Sequence, residues 1–531
     1  MRRTEDLEKI DMSNQLWQIT GPPGTGKTTY LARQAEAAVE RHGADAVVVT
    51  SLTKAAAAEA AGRGTGAGFV GTMHSLCYRA CGDGRAVLDS PKGLRTWNEY
   101  AATHDRDAWQ VTTGTDPDDP LADGPADTLG AELLEGMNLL RHQLVPADHW
   151  PESITAFAAL WRTCLADANA IDFTGMIEAG LELESAPGNP RVLVGDECQD
   201  WSRLEGLVFR RWASVADSAV MAGDPDQAIY EWRGGDPRIF LDHPVPAAQR
   251  RVLPQSYRVP RAVHAEAQRI IRQIPDRLDV EYRPRDEEGE VRTLETERWQ
   301  IPDAWLDELE SRTGSVMLLA SCGYLLTPAL KELRSQGVPF HNPYRRKQGA
   351  WNPLGSPDDR RLTAARQLRA YLGHDDARGW TADALRAWMP LLRSSDVLVR
   401  GAKKWLEDLS GHPDARRFFR DPADWDRAQA RREDWLLDRV ATKEAERLRF
   451  PMACWRRGGI AALETEPRIV VGTIHSVKGG EADNVAVITA LPGRWAEEPD
   501  APHLCRLFYV AATRARESLT WLCGDRGGFQ P

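Results

Sequence analysis

The sequence has no pair of cysteines spaced as CxxC. Its eight cysteines stand at 77, 81, 164, 198, 322, 454, 505 and 523, with no histidine cluster beside them, so neither a disulfide framework nor a zinc site is expected. Thiols scattered in this way fit a reducing cytoplasm. Also missing is any run of about eighteen apolar residues, the length that crosses a bilayer. The opening MRRTEDLEKID puts no apolar segment behind its two arginines, so no membrane partner and no secretory route is expected. Net positive charge is absent too: 67 Lys and Arg face 78 Asp and Glu, a balance of -11. That excludes gripping nucleic acid by bulk charge but leaves room for a local basic groove. Much of the acid lies in stretches such as TDPDDPLADGPAD (115–127), which carries the Pro and Gly breakers of a solvated loop.

What is present is a rhythm of short apolar strands. A chain of 531 residues is too long for one core and suggests roughly three or four domains of ~150 residues. The strands LWQIT (16–20), AVVVT (46–50), RVLVGDE (191–197) and SAVMAGD (218–224) alternate with helical patterns, and a second set follows in SVMLLA (315–320), RIVVGTIH (468–475), NVAVIT (484–489) and SLTWLC (518–523). The expected fold class is α/β, with two tandem parallel-sheet cores. Two helix-like stretches interrupt them. In the first, Ile154, Phe157, Trp161 and Cys164 fall on one helical face; the second is charged and rich in tryptophan, at 380, 388, 405, 425 and 435. The expected division is a first core (1–74 and 171–250) interrupted by a helical insertion (75–170). A second core (251–349 and 466–531) is interrupted by another insertion (350–465).

GPPGTGKTT (21–29) follows a strand and opens a helix, the setting a phosphate-binding loop requires. The backbone N–H groups of Gly21, Pro22, Pro23, Gly24, Thr25, Gly26, Lys27, Thr28 and Thr29, prolines excepted, and the helix N-terminus can cradle phosphates; Lys27 reaches the outer ones and the Thr28 hydroxyl holds Mg²⁺. The expected cofactors are therefore a nucleoside triphosphate, which the family resemblance given below makes ATP, and Mg²⁺. The acidic partner is RVLVGDECQD: Asp196 is assigned to the metal and Glu197 to the general base that takes a proton from the attacking water. Two arginines stand out as cations that can close on the site, Arg258 in LPQSYRVP and Arg514 in FYVAATRARESL.

One further stretch, GDPDQAIYEWRGG (223–235), mixes turn residues with Tyr230, Trp232 and Arg233. An aromatic there serves either as core filling or as a platform for bases, which stack on any ring at ~1–3 kcal/mol each.

Read in order, GPPGTGKT, VTSLTKAAAAEA, GTMHSL, AIDFTGMI, DECQD, GDPDQAIYEWRGG, QSYR, GTIHSVKGGEADNV and YVAATRARESL resemble the helicase motifs of the UvrD, Rep and PcrA family of superfamily 1. The resemblance implies RecA-like cores and ATP-driven 3′ to 5′ movement on single-stranded DNA, with single-strand/duplex junctions as partners. It implies that Tyr257 stacks on adenine, that Arg258 and Arg514 are arginine fingers, that Gln227 senses the γ-phosphate and that Glu481 contacts nucleotide. By the same token Thr72, His74, Trp232, Arg233 and His475 match positions that touch DNA, and Tyr230 joins them as a stacking ring.

The sequence departs from the family pattern in three places. Ser51 and Met73 stand where the family has aromatic rings. Gln15 and Gln18 lie only a few residues before Gly21, whereas the family's adenine-reading glutamine sits well upstream. The second insertion is shorter than the family's mobile domain, which weakens strand separation more than translocation as an expectation. Three readings remain: an unwinding motor, a non-unwinding motor or remodelling subunit of a recombination, replication or defence assembly, and a nucleotide-dependent binding switch. The basic loop YRRKQGAW (344–351) reads as a solvated loop or a DNA or partner contact.

Overall fold

The computed structural model describes residues 16–51, 65–81, 84–112, 128–242, 245–275, 277–296, 312–345, 351–355, 362–373, 378–430, 433–499, 501–524 and 528–531. Gln15, the acidic loop at 115–127, residues 52–60 of VTSLTKAAAAEA and most of the basic loop at 344–351 lie outside them.

Fourteen strands are numbered along the described chain: β1 (Leu16–Thr20), β2 (Val47–Ser51), β3 (Phe69–Thr72), the short β4 (Ala86–Val87) and β5 (Ala170–Ile171), β6 (Val192–Asp196), β7 (Ser218–Gly223), β8 (Arg250–Val252), β9 (Glu290–Thr296), β10 (Val316–Ala320), β11 (Phe340–His341), β12 (Ile469–Thr473), β13 (Ala482–Ile488) and β14 (Ala515–Gly524). They form two six-stranded sheets, β3-β2-β6-β7-β1-β8 and β11-β12-β10-β13-β14-β9, plus the small pair β4-β5. Every pairing within the two large sheets is parallel.

The continuous apolar runs have a simple cause, since a parallel sheet is covered on both faces and its central strands bury both sets of side chains. In β2 the alternation splits the run: Val47 and Val49 pack with Leu31 and Ala35 of the helix Lys27–His42, while Val48 faces Met73, Leu193 and Trp212 on the other side. The second sheet repeats this, with Met317 and Leu319 on one face of β10 and Val316, Leu318 and Ala320 on the other. In the two large sheets the strands that the sequence reading did not name are β3, β8, β11 and β9, which are the four sheet edges. An edge strand meets solvent or a helix end on one side, so its residues need not be apolar; all three residues of β8 are exposed.

Each helical stretch encloses its own apolar cluster. Trp97, Phe157, Trp161 and Cys164 close one, around the helix Glu152–Asp167. Tyr371, Trp380, Trp388, Trp425 and Trp435 close the other, with ring centroids of Trp380 and Trp388 4.9 Å apart. Trp405 alone of that tryptophan series is exposed, at 43%. No helix among the described residues is long and apolar enough to cross a membrane, and no group of His, Cys, Asp and Glu among them could hold a metal ion by itself.

Candidate nucleotide site and nucleic-acid interface

The loop after β1 turns on Gly24 and Gly26, both left-handed at φ 74° and 79°, a conformation that penalises side chains. Gly24 is also needed for space: a Cβ there would lie 2.5 Å from the Cβ of Arg258. The QSYR segment is clamped to this loop. Tyr257 N–H donates to the Gly24 carbonyl at 2.9 Å, Ser256 Oγ donates to Pro23 at 2.9 Å and the Tyr282 hydroxyl to Pro23 at 3.1 Å. The Tyr257 ring points away, 73% exposed. Lys27 opens the helix Lys27–His42, whose first turn has no acidic residue, so its positive end is left for an anion. Its buried ammonium donates to the Gly21 carbonyl at 2.6 Å.

Asp196 ends β6 and accepts from the Thr28 hydroxyl at 3.2 Å. Glu197 follows in the left-handed region at φ 55°, a strained conformation for a residue with a side chain, of the kind that collects at functional sites. Its N–H donates to Asp196 Oδ1 at 2.9 Å, and its Oε2 accepts from the Gln199 amide at 2.6 Å. The two carboxyls are pushed apart. Burial, then the charge of Glu197, raises Asp196. Burial acts on Glu197 in the same sense, but Lys27, Lys478, the Gln199 amide and Arg514 outweigh it and hold Glu197 below the ordinary carboxylate range. Glu197 is thus ionised at neutral pH and able to accept a proton.

The 223–235 stretch lies between the two cores, and two of its three acids receive a base from the second. Arg277 pairs with Asp226 at 2.7 Å and Arg506 with Glu231 at 2.5 Å. Gln227 donates to Asp224 at 2.6 Å and accepts from Arg514 Nη2 at 3.1 Å. Arg514 is buried, held by the carbonyls of Val510 and Gly480. Arg258 Nε meets Glu481 at 2.5 Å, and Arg516 meets the other oxygen of that carboxylate at 2.7 Å.

On the far side three rings converge. Tyr230 lies 5.9 Å from His475 and 6.3 Å from Trp232, and Trp232 is edge-on to His475 at 6.3 Å. Trp232 is 52% exposed, so it is not core filling. His475 Nε2 donates to the Ile229 carbonyl at 3.1 Å; burial, with Lys478 adding to it, takes this imidazole down to about 4, so the ring is neutral at pH 7. A cavity of about 500 Å³ opens beside these rings, lined among others by Trp232, His475, Trp495 and His503.

The remaining expected DNA-contact residues are placed differently. Thr72 is buried, and its hydroxyl accepts from Ser75 N–H at 3.2 Å, capping the helix Met73–Cys81. His74 and Arg233 both approach Glu205, at 3.7 and 3.8 Å, a buried carboxylate that also completes the capping box of the helix Arg203–Ala213. Ser51 and Met73 are buried, 1% exposed each, and present no surface. Gln18 spends its amide on the Phe240 carbonyl at 2.5 Å.

Sequence reasoning assigned no role to Lys478, Arg277 or Glu205. Lys478 sits inside the VKGGE run that carried part of the resemblance, so a signal existed; Arg277 lies in IPDRLD, which has none.

This geometry can be set beside known proteins. Residues 6–233 match the family model described as an AAA domain, and residues 468–521 match the UvrD-like helicase C-terminal domain. The chain is thus similar to the UvrD-like helicases of superfamily 1. Among curated relatives, this UvrD-like chain is 24% identical over 294 residues to the ATP-dependent DNA helicase PcrA of Bacillus subtilis, covering 50% of this chain and 39% of that one. It is 26% identical over 229 residues to the RecBCD enzyme subunit RecB of Mycolicibacterium smegmatis, covering 39% and 21%. A shorter match, 34% over 82 residues, is to RecB of Mycobacterium tuberculosis, covering 15% and 8%. The chain thus spans well under half the length of each of these relatives.

Proposed function

We propose that this UvrD-like chain is an ATP-driven motor that moves 3′ to 5′ on single-stranded DNA and displaces the complementary strand at junctions. The observation that carries the reading is the continuity of residues 223–235. Gln227 meets Arg514 at one end, Trp232 stands exposed at the other, and both ends contact the second core. A change in the cleft and a change in grip are thereby changes in one short segment.

In this reading the Lys27 ammonium and the helix N-terminus hold the phosphates, and the exposed Tyr257 ring stacks on adenine. Thr28 Oγ1 and Asp196 Oδ2, 3.2 Å apart, are the hard oxygen donors that suit Mg²⁺, which when bound neutralises phosphate charge. Glu197 takes the proton of the attacking water. Arg258 and Arg514 stabilise charge on the transferred group, and because Arg514 comes from the second core, turnover depends on how the cores meet. Glu481 holds Arg258 beside the P-loop and contacts nucleotide. Trp232, Tyr230 and His475 stack on bases, with His74 at the edge of the track. Arg233 contributes charge and Thr72 its backbone.

The direction rests on the resemblance of the ordered motifs to the UvrD, Rep and PcrA family. A second reading, a motor subunit of a larger assembly that does not itself unwind, is favoured by the partial match to RecB, a subunit of the RecBCD enzyme. Duplexes bearing only a 3′ or only a 5′ single-stranded tail separate these readings. ATP-dependent unwinding from the 3′ tail alone is expected. Unwinding from the 5′ tail alone contradicts the direction, and DNA-stimulated hydrolysis without unwinding favours the subunit reading. Hydrolysis indifferent to DNA leaves a nucleotide-dependent binding switch.

A further inference from the structure

The segment between β12 and β13 takes an unusual path. Both strands pair in parallel with β10, one on each side, so residues 474–481 must run back from the C-terminal end of β12 to the N-terminal end of β13. They do so without a helix, through turns held by Ser476 N–H to Thr473 and Gly480 N–H to Val477. One short segment therefore carries His475 at the ring cluster and Glu481 beside Arg258, with Lys478 between them.

The Lys478 side chain, 10% exposed, crosses into the first core. It pairs with the fully buried Asp200 and donates to the Gln227 carbonyl at 2.8 Å. Its ammonium stands 3.7 Å from Glu197 Oε2 and 5.3 Å from the centre of the Tyr230 ring. Asp200 is itself tied to both neighbours, accepting from the Gln199 amide at 3.0 Å and from Ile229 N–H at 3.2 Å. The Tyr230 hydroxyl closes the circuit by donating to the His475 carbonyl at 3.3 Å.

We propose that Lys478 is the positioning residue through which the DNA-facing rings set the placement of Glu197 and Gln227. The inference deepens the motor reading and rests on it. Withdrawing Lys478 would leave Asp200 buried without its cation, which is costly, so the contact holds residues 474–481 firmly against the first core. A strand pressing on Tyr230 and His475 acts on the same segment and the same ring that bear on Lys478. Lys478 reaches the reacting groups only through Glu197 and Gln227, so its removal should uncouple DNA from turnover.

The test compares steady-state ATP hydrolysis of the full chain with and without a saturating thymidine oligonucleotide, together with KM for ATP and the Kd of that oligonucleotide. In Lys478→Met the ratio of DNA-stimulated to DNA-free kcat is expected to fall about tenfold, with KM and Kd moving no more than about threefold. Lys478→Arg should restore part of the ratio. Should the buried Asp200 prevent Lys478→Met from folding, Lys478→Met/Asp200→Asn removes both charges and is read in the same way. An unchanged ratio, loss of hydrolysis in both conditions, or a deficit removed by more oligonucleotide overturns the proposal. Absence of stimulation in the unaltered protein contradicts the motor reading instead, which keeps the two failures distinct.

Discussion

At the carboxyl ends of β1, β6 and β7 the first sheet presents the P-loop, Asp196 and Asp224, followed by Glu197, Asp200 and Asp226. The second sheet, also six parallel strands, contributes no phosphate loop among its described residues; it sends Arg277, Lys478, Arg506 and Arg514 across to the first. The same architecture thus carries acids and a phosphate cradle in one copy and cations in the other. The lesson concerns charge rather than fold. Two buried carboxylates of the first core, Asp200 and Asp226, find their cations in the second, and an unpaired buried charge is expensive. In the proposed reading, closing the interface and completing the site are one event, and a net acidic chain can still present cations where phosphate charge develops.

The comparison is broken most severely by Arg514→Ala. It removes the buried second-core guanidinium that meets Gln227, and kcat is expected to fall ~10³-fold or more while a fluorescent ATP analogue still binds. A fall of only a few fold would show that the second core supplies no essential cation. Next comes the first core's own side of the bargain. Glu197→Gln keeps shape and the contact to the Gln199 amide but removes proton acceptance, and should lower kcat by ~10²- to 10⁴-fold with KM little changed. An unaffected kcat would move the base elsewhere.

Smaller effects sharpen a different contrast, between tryptophans that build and one that is offered to solvent. Trp388, fully buried in the second insertion, should cost ~3–5 kcal/mol of unfolding free energy on replacement by Ala, read from denaturant midpoints. Trp232→Ala, at 52% exposure, should leave that midpoint nearly in place yet weaken single-strand binding by ~1–3 kcal/mol, measured by oligonucleotide anisotropy. Trp405→Ser, exposed and without a proposed role, should change either readout by less than about 0.5 kcal/mol. If Trp232→Ala instead behaves like Trp388→Ala, the ring belongs to the core after all.

How much of this was legible in the sequence follows from where information is written locally. Central strands read clearly because burial on both faces demands an apolar run, as in VVV of β2 and VMLLA of β10. The edges β3, β8, β9 and β11 lack that demand, and Arg250–Val252 contains two arginines. The P-loop, Thr28 and Asp196 were legible for a similar reason, since a strand, a glycine turn and a helix start leave a contiguous signature. Lys27, Thr28, Asp196, Glu197, Gln227 and Arg514 do come together.

The cross-core partners were not legible. Nothing near Arg277 predicts Asp226 as its partner, because the pairing exists only after two sheets dock. Thr72 shows the converse, a position whose local duty as a helix cap consumes the hydroxyl that motif matching offered to a ligand. Arg233 and His74 likewise face the buried Glu205, a residue that in sequence reads simply as the acid of a capping box.

The most direct test of the central claim is the rate of ATP hydrolysis as a thymidine oligonucleotide is titrated into the unaltered protein. A nucleotide cleft and a ring cluster joined through residues 223–235 predict a rate that rises with the oligonucleotide to a plateau and is half-maximal near its Kd. A rate that stays flat while the oligonucleotide demonstrably binds would contradict it.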